Sequence, residues 1–180
     1  MFPKAHAAAY VLSAIRVAWW KLYYPTEYYS VYFTTRCDAY DIESMVKGKE
    51  VVLKRRREIE ALRQEHKTTN KDEGLFSVFD ICLEMFERGY SFSNIDLELS
   101  DATRFLPHPT DPKKIVPPFS CVDGLGESVA ITIVQARLEH PFLSKEDVMK
   151  RTRLNNTHIK TLTQMGVFQN LQEENQLSLF

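Results

Sequence analysis

Two glycines flanking one leucine, Gly124-Leu125-Gly126, close the stretch Pro117-Pro118-Phe119-Ser120-Cys121-Val122-Asp123 and open onto the apolar run Val129 to Ala136. Glycine takes positive φ without steric cost and leaves no Cβ in the way, so both glycines can turn backbone amides outward. A helix N-terminus adds unpaired N–H groups and a partial positive charge. The turn before Glu127 is therefore a natural seat for a phosphate, with Leu125 pointing inward to lock it. The plainer reading is a tight turn and helix start with no ligand, and a lone G-x-G does not exclude it.

With 180 residues, 44% of them hydrophobic and 26% charged, the chain can bury one large core or two small ones. Its net charge of -1 selects no partner. Three cysteines far apart (Cys37, Cys82, Cys121) fit a reduced intracellular protein, and no metal-ligand spacing joins them to a histidine. The longest apolar stretch, Ala7 to Trp20, is interrupted by Arg16, which argues against a signal peptide or membrane span. The expectation is a cytoplasmic protein.

Good helix formers run from His6 to about Leu22, where Pro25 stops them. Apolar residues surround that helix almost completely, so it should be buried, its alanines allowing close approach by a neighbour. Thr26 can cap a second helix through Phe33. Asp41 can cap a third that continues to about His66, with Met45, Val52, Ile59 and Leu62 as its apolar seam. Its other face is basic: residues 47 to 71 hold nine Lys or Arg against four Glu, and Lys54 to Arg57 either meets phosphates or is a solvated face. A loop from Thr68 to Gly74 precedes a fourth helix, Leu75 to Arg88, with Gly89 suited to its C′ position.

After Gly89 the pattern alternates. Ile95, Leu97 and Leu99 face one way and Asp96 and Glu98 the other, which predicts a half-buried strand. Two carboxylates on one face also fit metal-dependent chemistry, but no third carboxylate or substrate clamp accompanies them. Thr103 to Leu106 can pair as another strand, and His108 to Lys114 is a turn-rich connection. A helix from Ser128 to Glu139 follows. Ser144-Lys145-Glu146-Asp147 reads as a capping box, stapled by Leu143 and Val148. A short helix to about Arg151, a turn at Arg153 to Asn156 and a helix from Thr157 to Met165 make a second helix-turn-helix unit. Its turn lacks glycine, so it should support rather than grip, although Lys145, Lys150, Arg151, Arg153 and Lys160 make it basic. The polar stretch Gln172 to Asn175 reads as a mobile spacer, and the apolar end Gln176-Leu177-Ser178-Leu179-Phe180 either docks a partner or folds back.

The series Phe2-Pro3-Lys4-Ala5-His6-Ala7-Ala8-Ala9-Tyr10, Tyr24-Pro25, Pro117 to Glu127, Phe142 to Asp147 and Gln176 to Phe180 resembles the C-terminal end of PolC-type DNA polymerase III, the replicative polymerase family of low-GC Gram-positive bacteria. The resemblance covers nearly the whole chain in order. It implies a mainly α fold with a small β element: a distal fingers helical region (1–90), a strand and turn connection (91–116), a tandem helix-hairpin-helix duplex-binding domain (117–170) and a tail (171–180). It also implies that Gly124, Leu125, Gly126 and Ser128, with Lys113 and Lys114 just ahead, contact duplex DNA. Gln176, Leu177, Ser178, Leu179 and Phe180 would bind the sliding clamp (beta subunit), and Lys4 and His6 would lie near the incoming nucleotide. The parent activity is nucleotidyl transfer in DNA replication. Its catalytic carboxylates are expected upstream of Met1, so no catalytic residue, metal ligand or cofactor is expected here, and Mg2+ belongs to the parent. Glu127 departs from the wider hairpin pattern, where lysine is common, and weakens the expected grip.

Two readings from different classes follow. One is a binding module of a replicative polymerase, whose partners are duplex DNA, the clamp and the remainder of the polymerase chain, and not a membrane. The other is a stand-alone helical adaptor with a structural hairpin turn. Duplex affinity that falls steeply with salt separates them.

Overall fold

Pro25 organises the N-terminal half. In the computed structural model, which describes residues 3–174, α1 (Lys4–Tyr23) ends just before it and α2 (Pro25–Arg36) begins on it. A proline at the first helical position loses no hydrogen bond and arrives with helical φ, so it starts α2 where Thr26 was expected to cap it. Asp41 caps α3 (Ile42–Lys47) by accepting from the Ser44 amide at 3.2 Å. The single long helix expected here is two, because Gly48 at φ 97° breaks the rise before α4 (Lys49–Gln64). The apolar seam survives the break: Met45, Val52 and Ile59 are fully buried.

Helix α5 (Asn70–Glu87) starts five residues earlier than expected. Thr69 and Asp72 form a reciprocal capping box, a threonine-x-x-aspartate signal hidden in a stretch that composition marks as loop. The box holds the Asp72 carboxyl below the ordinary carboxylate range through its hydrogen bonds with Thr69. Gly89 at φ 80° ends this region as expected.

The small β element is a three-stranded sheet. Its strands β1 (Ser91–Phe92), β2 (Leu106–Pro107) and β3 (Lys114–Val116) lie in the order β1-β3-β2, with β1 parallel and β2 antiparallel to β3. No strand forms over Ile95 to Leu99. The Asp96 carboxylate instead accepts from the Glu98 and Leu99 amides at 2.7 and 2.9 Å and curls the chain into a turn. Ile95 and Leu97 are still buried, so the alternation was real and its cause was not. Asp96 shapes the turn through one carboxylate oxygen, and the described residues contain no cluster of metal-binding side chains.

Past β3, a 3-10 turn (Phe119–Cys121) leads into α6 (Glu127–Glu139), α7 (Lys145–Arg151) and α8 (Asn156–Gln164). Ser144 caps α7 as expected by accepting from the Asp147 amide at 3.0 Å, but Leu143 is exposed and makes no staple; Phe142 is the buried neighbour. One contiguous cluster of buried side chains runs from Tyr29 to Phe168 and joins the helical half to the hairpin half.

Helix α1 reverses the expectation made for it: none of its residues is buried. Tyr10, Leu12, Ile15, Trp20, Leu22 and Tyr23 are each at least half exposed, although α1 packs against α2. An all-round apolar helix needs neighbours on every side, and the described residues cover α1 only in part. Its base is fixed by Arg88, which donates to the Lys21 carbonyl at 2.8 Å and to the Tyr29 hydroxyl at 3.1 Å. No described helix is long and apolar enough to cross a membrane.

Candidate nucleic-acid interface

The turn between the 3-10 turn and α6 is built from the inside outward. Phe119 and Ser120 donate their amides to the carbonyls of Asp101 and Ala102, both at 3.0 Å, which fixes the approach. The Leu125 amide closes the turn on the Val122 carbonyl at 3.0 Å, and its side chain is buried as expected. Gly124 sits at φ 79°, in the left-handed region. Gly126 does not: it is the N-cap of α6 at φ -69°, ψ 159°, extended backbone open to any residue. The two glycines therefore have different jobs, and only Gly124 needs its conformational freedom.

Because Gly126 brings no capping side chain, the α6 N-terminus stays uncapped. Among the described residues no acceptor takes the amides of Gly124, Gly126, Glu127 or Ser128. A Cβ placed on Gly126 would meet nothing within 4 Å. Gly124 and Gly126 line a broad groove together with Asp38, Tyr40, Asn70, Lys71 and Gly74. Two carboxylates flank the seat. Lys71 pairs with both oxygens of Asp123, at 2.7 and 2.9 Å, while Glu127 is exposed at the first helical position.

The second turn, Thr152 to Asn155, repeats the same frame. Leu154 is buried where Leu125 is, and Asn155 is the N-cap where Gly126 is. Here, however, the Asn155 side chain accepts from the His158 amide at 2.9 Å and closes a full capping box. The helix end that an anion would need is already filled, as the absence of glycine implied. This turn supports the first one: the Arg153 amide donates to Thr132 Oγ1 at 3.1 Å, and His158 Nε2 lies 3.0 Å from the Gly124 carbonyl. No local pattern signals the His158 link, since nothing along the chain relates residues 34 apart.

Most of the basic residues noted in the sequence are spent on neighbours. Arg55 pairs with Glu58 and Arg56 with Asp80, while Arg63 beyond the run pairs with Glu73, so two of the four cations of the 54–57 run are neutralised and Lys54 and Arg57 have no ion pair among the described residues. Lys145, Lys150 and Arg151 pair with Glu173, Glu146 and Asp147. Arg153 and Lys160 are exposed and have no ion pair among the described residues. Lys113 and Lys114 are exposed at the start of β3, where Lys114 pairs with Asp111 at 3.4 Å and no hydrogen bond or ion pair joins either to the glycine turn. Lys4 and His6 are exposed in the first turns of α1, with the His6 ring 4.5 Å from that of Tyr10. The expected mobile spacer is tied at its start: Lys145 donates its amide to the Gln172 carbonyl at 2.9 Å and Glu146 to that of Glu173 at 3.2 Å. Gln176 to Phe180, assigned to the clamp, lie outside the described residues.

Gly124→Ala is expected to lower stability by about 1–2 kcal/mol, the cost of holding a Cβ at positive φ, whereas Gly126→Ala changes it by only a few tenths. Thermal melts of the two variants check the contrast.

Comparison with known proteins bears on the same region. The family model described as a helix-hairpin-helix motif matches residues 89–177. Over all 180 residues the chain is 46% identical to a protein named DNA polymerase III PolC-type from Streptococcus pneumoniae serotype 4, 47% to the one from Pediococcus pentosaceus and 43% to the one from Oceanobacillus iheyensis. The match covers 100% of this chain and 12% of each relative, so the chain spans about an eighth of their length.

Proposed function

We propose, from the premise that this chain is homologous over its whole length to a segment of the PolC-type DNA polymerase III proteins, that it holds duplex DNA by the phosphate backbone as part of a replicative polymerase. The observation that carries the reading is the uncapped N-terminus of α6, whose first amides have no acceptor among the described residues and whose N-cap Gly126 lines an open groove, while the matching end of α8 is capped by its own asparagine. Backbone N–H groups at a helix N-terminus favour a phosphate and read no base, so binding here is independent of sequence. Asp123 and Glu127 oppose an anion. Lys71 offsets the first, and Glu127 limits the strength of the grip.

Gly126→Val tests this cleanly. At φ -69° the new side chain brings no strain, and it projects into the space a phosphate would occupy. The expected result is a loss of about tenfold in duplex affinity at low salt, equal to about 1.4 kcal/mol, at an unchanged melting temperature. Native affinity in a fluorescence anisotropy titration overturns the reading.

The rest of the polymerase supplies what α1 lacks. We read its exposed aromatic and aliphatic side chains as the face that packs against the remainder of a longer chain, with Lys4 and His6 at its start directed toward incoming nucleotide. The terminal Gln176 to Phe180 completes the reading as a tether to the sliding clamp. Leu177, Leu179 and Phe180 are apolar anchors of the kind that fill a partner pocket, each contributing about 1.5–3 kcal/mol on burial. A tether of this kind raises processivity through local concentration. Removing residues 176–180 is expected to abolish clamp binding in surface plasmon resonance and leave duplex affinity as it was; retained clamp binding places that contact elsewhere.

A further inference from the structure

The peptide between Gly124 and Leu125 is held at both ends. Its N–H, on Leu125, donates to the Val122 carbonyl at 3.0 Å, an interaction within the turn itself. Its C=O, on Gly124, lies 3.0 Å from Nε2 of His158, which arrives from the second helix-turn-helix unit. The other ring nitrogen settles which of these atoms carries the proton. The Asn155 backbone N–H points at His158 Nδ1, 3.3 Å away, so Nδ1 is an acceptor and carries no proton. A neutral ring then has its proton on Nε2, which donates to the Gly124 carbonyl. The amides of Gly126 and Glu127 follow this peptide immediately along the chain. Its plane decides how they face the groove.

We propose that His158 is a positioning residue for phosphate binding: it completes the capping box of α8 with one nitrogen and with the other fixes the glycine turn, so the second unit aims the amides of the first. The proposal rests on the turn being a phosphate seat. A second hold makes the coupling stiff. The Arg153 amide donates to Thr132 Oγ1 at 3.1 Å, and that hydroxyl donates to the Val129 carbonyl at 2.7 Å, so the second turn grips the body of α6 as well as its entry turn. Gly124 needs such a hold more than an ordinary residue does, because a glycine at positive φ has little intrinsic preference for one conformation.

The test compares three variants by duplex titration at low salt. His158→Ala removes both bonds and is expected to lose about tenfold in affinity. His158→Gln keeps an acceptor suited to the third position of a capping box and an amide donor that can reach Gly124, and is expected to recover most of that loss. Asn155→Ala weakens the α8 cap without removing the Nε2 donor; it is expected to lower the melting temperature and leave duplex affinity within about twofold. Native affinity in His158→Ala overturns the proposal. So does loss without recovery in His158→Gln, or an affinity loss in Asn155→Ala as large as in His158→Ala. If Gly126→Val also binds as the native chain does, the phosphate seat itself falls; if Gly126→Val alone is impaired, the seat stands and His158 has no part in it. Should His158→Ala not fold, ring 15N shifts of the unaltered chain decide: a proton on Nε2 supports the proposal and a proton on Nδ1 overturns it.

Discussion

Between about pH 9 and 11 this chain is expected to lose much of its stability under reducing conditions, driven by three buried thiols. Cys37, Cys82 and Cys121 are 8%, 0% and 3% exposed. Burial pushes the Cys82 and Cys121 thiols far up, and burial with the Asp38 carboxylate nearby pushes Cys37 up to about 11. In the unfolded chain a thiol ionises near about 8.5. Above that pH the unfolded state has shed protons that the folded state keeps, so the stability present below it is lost as pH rises toward the folded values. Each thiol contributes about 1.4 kcal/mol per pH unit, and three together about 4 kcal/mol per unit. Two units remove up to about 8 kcal/mol, a large part of the roughly 5–15 kcal/mol that holds an ordinary domain together. The Tyr40 hydroxyl, partly buried and shared between the Phe33 and Cys37 carbonyls, is pushed up mainly by desolvation and adds to the effect at the upper end. Melting temperature followed by circular dichroism across this range checks the claim, and Cys82→Ala should flatten the slope above pH 9 by about a third. A flat profile to pH 11, or a slope indifferent to Cys82, contradicts it.

Phe33→Ala is expected to cost about 3–5 kcal/mol, the range for truncating a buried aromatic. Phe33 is fully buried, and its ring lies 5.1 Å from that of Phe92 and 5.4 Å from that of Phe105, with Tyr29 and Tyr32 at 6.4 and 6.1 Å. It thus joins α2 to β1 and to the segment entering β2, three pieces far apart in sequence. A cavity there cannot collapse easily, because the Thr34 hydroxyl accepts from the Phe105 amide at 2.9 Å and holds the backbones apart. Denaturant melts measure the loss, and a cost below about 1.5 kcal/mol would mean that the site repacks.

What was legible in the sequence was local. Asp41 and Ser144 announced their helices, and Gly89 its helix end, because capping depends on residues within one turn of each other. The glycine turn was legible in outline for the same reason, and so was the contrast with the glycine-free second turn. Short-range signals also misled. Period-two alternation at Ile95 to Leu99 read as a strand, but the Asp96 carboxylate found two amides of its own and made a turn. Thr69-x-x-Asp72 was a helix start lost in a polar stretch.

The sequence by itself determined that this chain is mainly helical, that it carries a glycine hairpin leading into an amphipathic helix, and that it resembles one polymerase family from end to end. Only the tertiary structure decided which glycine needs its freedom, which cations remain after neighbouring carboxylates are paired, and that His158 reaches the Gly124 carbonyl. It also left α1 uncovered, where apolar composition predicted burial. The physical reason is common to all four. Hydrogen bonding within a turn is fixed by neighbours along the chain, whereas burial, ion pairing and a bond across 34 residues depend on what the folded chain brings alongside, which no periodicity encodes.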